Sequence, residues 1–124
     1  MGRLAILMLV LPVAACATSA RGTGGSRDVI TEEQIRSVSV SSAYELIQRL
    51  RPEMLQGRGR TSVSDPTAPY PVVYVNGVRA RGFDELRSIA ATDVQEIRYI
   101  NAADATTRYG TGHTSGVIEV RLRS

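Results

Sequence analysis

Acid–base and nucleophilic chemistry has few parts to work with in this sequence: His113 is the only histidine among 124 residues, and Cys16 the only cysteine. A hydrolase would set His113 beside a serine and a carboxylate. Ser115 is close by, but no Gly-x-Ser-x-Gly elbow surrounds it. A zinc site would have to rest on carboxylates, a poor set of donors for that ion. Asp84, Glu85, Asp93 and Glu96 occupy positions suited to helix starts and strand exteriors, so they are not read as paired catalytic acids. The run Gly110-Thr111-Gly112-His113-Thr114-Ser115-Gly116 lacks the Lys-Ser/Thr ending of a phosphate loop, and it leads into a strand instead of opening a helix. The expectation is a turn histidine at His113, no catalytic residue, no cofactor and no metal.

Cys16 has a different chemistry. One basic residue, Arg3, precedes an apolar run from Leu4 to Val13, and small residues follow up to Cys16, the layout of a secretory signal. The run is too short to span a bilayer, which takes roughly 20 apolar residues. Val13-Ala14-Ala15-Cys16 resembles the lipobox of bacterial lipoproteins, which implies a signal peptide over residues 1–15 and lipid on the sulfur of Cys16. A lone thiol in an exported chain has no internal disulfide partner, so lipidation gives it a use that pairing cannot. Each buried methylene of the acyl chains would contribute about 0.8 kcal/mol to anchoring. Ala17, and not an aspartate, follows the cysteine, which favours sorting to the outer membrane.

Without those fifteen residues 109 remain, enough for one domain burying roughly 65% of its unfolded surface. All fifteen basic residues are arginine against twelve acids, far from the basic excess of a nucleic-acid binder. Residues 16–28 are rich in Gly, Ser and Thr with nothing larger than alanine to bury, and read as a flexible tether.

The elements that must position any site fall in residues 29–124. Thr31 can cap a short helix with Gln34 reaching back and Ile30 stapled to Ile35. Ser42, with Glu45 three residues on, starts a second helix whose Ala43, Leu46, Ile47, Leu50 and Met54 share a face; Glu45 and Arg49 make an exposed pair, and Pro52 ends or kinks it. Gln56 to Pro71 is a long loop with three prolines and two glycines, and Arg49, Arg51, Arg58 and Arg60 at its entrance read as a solvated basic face. Val72 to Val75 is a strand by composition, and Asn76-Gly77 supplies the tight turn of a hairpin. Phe83 to Ile89 predicts a short helix with Leu86 and Ile89 inward, and Gln95 to Ile100 a strand with Ile97 and Tyr99 on one face. Asn101 caps a helix from Ala102 to Tyr109 that stops at Gly110. In the last strand Ile118, Val120 and Leu122 alternate with Glu119, Arg121 and Arg123, one face on a core and the other in water. The fold class is α+β, a mixed or antiparallel sheet of about four strands with short helices.

The order of pieces from Pro71 onward resembles the plug domain of TonB-dependent outer-membrane receptors. The strand and Asn-Gly turn at Val72 to Val78, Asp93-Val94-Gln95-Glu96-Ile97, the Ala-rich turn ending in Tyr109-Gly110, and Gly116-Val117-Ile118-Glu119-Val120 each match a piece of that family's pattern. Val29-Ile30-Thr31-Glu32-Glu33 and the helix from Tyr44 to Leu55 are similar to its opening strand and helices. In the receptors a barrel of more than about twenty strands follows, at roughly ten residues per strand, and none fits before Ser124. No TonB box is recognisable in the tether. The resemblance therefore implies a free-standing plug-like domain on a lipid anchor.

The function expected from these readings is a non-catalytic binding or assembly module on the outer membrane, facing the periplasm, with another envelope protein or a cell-wall component as partner, no nucleic acid, and the membrane engaged through the anchor. A second reading is an accessory ligand binder serving a separate TonB-dependent receptor. A third is a small envelope hydrolase using His113.

Overall fold

The computed structural model describes residues 26–57 and 70–124. The signal segment, Cys16, most of the tether, Arg58 and Arg60 lie outside the described residues.

Local sequence sets the helix starts. Strand β1, Val29–Ile30, leads into α1, Glu32–Arg36, through a full capping box: Thr31 Oγ1 accepts the Gln34 amide while Gln34 Oε1 accepts the Thr31 amide. Ile30 and Ile35, the two ends of the expected staple, are both buried. Helix α2, Ala43–Leu50, is capped by Ser42, and Ala43, Leu46 and Ile47 are buried on its inner face. Glu45 does not reach Arg49 as expected. Its carboxylate turns back to the Ser41 amide at 2.9 Å and to the Ser41 hydroxyl, because these donors sit at the helix start, where negative charge is favoured. Pro52 ends α2 and opens a 3-10 turn, Pro52–Leu55, that carries Met54 into the core.

The remaining elements are β2 (Val72–Val75), β3 (Val78–Arg79), α3 (Phe83–Ser88), a 3-10 turn (Ala91–Asp93), β4 (Val94–Ile100), α4 (Ala102–Tyr109) and β5 (Val117–Leu122). The sheet has five strands in the order β1-β4-β5-β2-β3, one more than the expected four because the two residues of β1 pair with β4 at one edge. β2 and β5 run parallel and the other pairs antiparallel, so the sheet is mixed. Asn76 and Gly77 both adopt positive φ, 48° and 82°, as a two-residue hairpin turn of that hand requires.

One face of the sheet carries the main core: Val73, Ile97, Tyr99, Ile118 and Val120 pack with Ile35 of α1, Leu46 and Ile47 of α2, and Leu86 of α3. Val94 joins them although it is three residues from Ile97. A bulge explains this, since Val94 pairs with Leu122 and Glu96 with Arg121, so the extra residue Gln95 resets the alternation.

The second face of β5 is not in water throughout. Val117 is fully buried there with Tyr74 and Ile100 against Ala105 of α4, and the Glu119 side chain is 13% exposed. The alternation of β5 therefore separates two covered faces over its first half, and only Arg121 and Arg123 meet solvent as expected.

Candidate functional site

The residues with chemical potential are dispersed. Asp84 is held by Arg87 on α3 at 2.7 Å, and Glu96 by Arg98 on β4 at 3.1 Å. No group of three His, Cys, Asp or Glu side chains that could hold a metal is gathered among the described residues.

His113 opens the turn that closes with its carbonyl accepting the Gly116 amide at 2.9 Å, and its side chain is buried, 3% exposed, which the sequence reading did not foresee. Its Nδ1 lies 2.9 Å from the Gly110 carbonyl oxygen and its Nε2 3.1 Å from the Tyr74 hydroxyl. A carbonyl only accepts, so Nδ1–H donates to Gly110, and in the tautomer protonated at Nδ1 alone Nε2 accepts a hydrogen bond from the Tyr74 hydroxyl. Both nitrogens are thus committed to structural partners. The ring also packs with Tyr109, which stacks on Tyr74 at 4.0 Å between centroids. Tyr109 donates to Glu119 Oε2 at 2.9 Å, and Arg108 meets the same oxygen at 3.2 Å. Burial, and after it the hydrogen bond to Glu119, raises the Tyr109 phenol above its ordinary range. This cluster fastens α4 to the sheet.

Close approach governs the end of the glycine-rich segment. Gly116 has φ +83°, and a Cβ there would stand 2.5 Å from both the Ile100 carbonyl oxygen and the Tyr99 hydroxyl. Tyr99 donates that hydroxyl to the Ser115 carbonyl at 2.8 Å. These glycines serve backbone geometry, as Gly110 does with φ +88° at the end of α4.

What remains outward is a surface around β3. Among the described residues the large hydrophobics left exposed are Tyr70, 59%, and Val78, 70%. Tyr70 meets Phe83 edge-on at 5.7 Å, Phe83 meets Tyr44 at 6.2 Å, and the Arg87 guanidinium lies over Tyr44 at 4.3 Å. Tyr70, Pro71, Arg79, Ala80, Arg81 and Phe83 line a groove of about 380 Å3. Its lining combines apolar and aromatic side chains with two guanidiniums and, among the described residues, includes no carboxylate. The sequence reading passed over it. The signal was available in Pro69-Tyr70-Pro71, an aromatic residue flanked by two prolines at the end of an otherwise polar loop.

A five-stranded mixed sheet with helices on both faces, and with His113, Tyr74, Tyr99 and Tyr109 packed inside it, defines a small α+β domain. The chain belongs to the TonB-dependent receptor plug domain family, whose model matches residues 19–117, most of its length. Plug domains are non-catalytic parts of outer-membrane receptors. Among curated proteins and among solved structures, no match was found.

Proposed function

We propose that this chain is a plug-like domain carried by an outer-membrane lipoprotein, anchored through lipid on Cys16 and facing the periplasm, that works as a non-catalytic binding or assembly module for another envelope protein. The observation that carries this reading is the groove beside β3, lined by exposed Tyr70 with Arg79 and Arg81, together with the exposed Val78 on β3 itself. Exposed aromatic and arginine side chains are the kinds that protein interfaces enrich. The commitment of both His113 nitrogens inside the fold supports the same reading, since it leaves a hydrolytic mechanism without its base.

Two measurements test the two halves of the reading. Mass spectrometry of membrane-extracted protein should find acyl chains on Cys16 and none after Cys16→Ser; acylation that persists would overturn the anchor. Affinity capture from solubilised membranes should retain a protein partner without added ligand. Thermal stabilisation that depends on a small ligand, with no protein retained, would instead favour the accessory ligand binder.

A further inference from the structure

The hairpin of β2 and β3 leaves one edge of the sheet open, and its register identifies the backbone groups that face outward. A two-residue turn makes Val75 and Val78 a hydrogen-bonded pair. Tyr74 and Arg79 are then a pair of the non-bonded kind, and the Ala80 amide returns to the Val73 carbonyl at 2.8 Å. In that alternation the N–H and C=O of Arg79 point away from β2. Among the described residues neither has a hydrogen-bond partner.

Charge adds a second, independent observation. The groove along this edge is lined by Arg79 and Arg81 and by no carboxylate. Neither arginine has an ion-pair partner among the described residues, and the nearby Asp84 is occupied by Arg87. Positive charge on a sheet edge discourages pairing with neutral or basic strands, which makes an acidic strand its complement.

Resting on the binding-module reading, we propose that the β3 edge takes up an acidic, extended polypeptide segment of a partner protein as a sixth strand. The segment bonds to the N–H and C=O of Arg79, its carboxylates meet the Arg79 and Arg81 guanidiniums, and its apolar side chains lie against Val78 and Tyr70. The open peptide group selects a polypeptide over an anionic lipid or glycan, because only another main chain offers a donor and an acceptor at strand spacing. With an edge only two residues long, the arginines supply much of the recognition and make it sensitive to salt.

The test uses the full chain in detergent micelles and a fluorescent peptide of alternating Glu and Val, followed by anisotropy at low salt. Saturable binding is expected, with protection of the Arg79 amide from hydrogen exchange. Affinity should fall about tenfold or more in the Arg79→Glu/Arg81→Glu double variant, and N-methylation of the peptide backbone should abolish it. Both arginines are exposed, so the variant keeps the fold. Absence of saturable binding, undiminished binding by the double variant, or equal binding of the N-methylated or a Lys–Val peptide would each overturn the proposal. So would self-association that protects Arg79 without peptide. If the double variant still captures the membrane partner, this edge is refuted while the binding-module reading stands.

Discussion

The Tyr74 hydroxyl lies 3.1 Å from His113 Nε2, joining two residues 39 positions apart and closing the cluster that holds α4 on the sheet. Tyr74→Phe leaves the imidazole nitrogen buried without its donor, an expected loss of about 1–3 kcal/mol in the unfolding free energy measured by chemical denaturation. His113→Ala should cost at least as much, since it removes a buried ring as well as two hydrogen bonds. Loss of either side chain with no change in stability would show that the cluster does not fasten α4.

Gly116 should tolerate no side chain. Its positive φ disfavours alanine, and the added methyl would meet a backbone carbonyl and the Tyr99 ring, neither of which can step aside freely. Gly116→Ala is expected to cost about 3 kcal/mol or more, beyond the usual penalty for crowding a packed core. By contrast Gly77→Ala, which has open space around its Cβ, should carry only the smaller strain of its backbone angle. Equal midpoints for the two variants would contradict this packing.

On β5, Ile118→Ala should destabilise by about 2–5 kcal/mol, because Ile118 is fully buried in the main core, while Arg121→Ala should change stability by under about 0.5 kcal/mol. Denaturant melts compare them directly, and similar effects would mean that the faces of the strand are misassigned.

Glu45 predicts a small acid-side dependence. The Ser41 backbone amide, and then the Ser41 hydroxyl, lower its folded pKa below 4.5. A depressed carboxylate stabilises the fold above its unfolded value, and that contribution is lost as pH falls from about 4.5 through the folded value. Glu45→Gln should therefore flatten part of the stability curve in that range and leave the neutral region nearly parallel to it. An unchanged acid limb would argue against the Ser41 contact in solution.

What the sequence determined by itself was everything fixed within a few residues. Thr31, Ser42 and Asn101 cap helices through bonds to residues three positions on, Asn76-Gly77 turns the hairpin, and Pro52 ends α2. Those choices depend on local backbone geometry, which residue type reports directly. The tertiary structure alone decided the rest. Whether the second face of β5 is wet depends on where α4 lands, and the burial of the turn residue His113 depends on Tyr74 arriving from another strand. The bulge that turns Val94 inward, and the sheet edge at which the Arg79 peptide has no partner among the described residues, follow from strand order and register. Burial and pairing are relations between distant segments, so no single stretch of sequence encodes them.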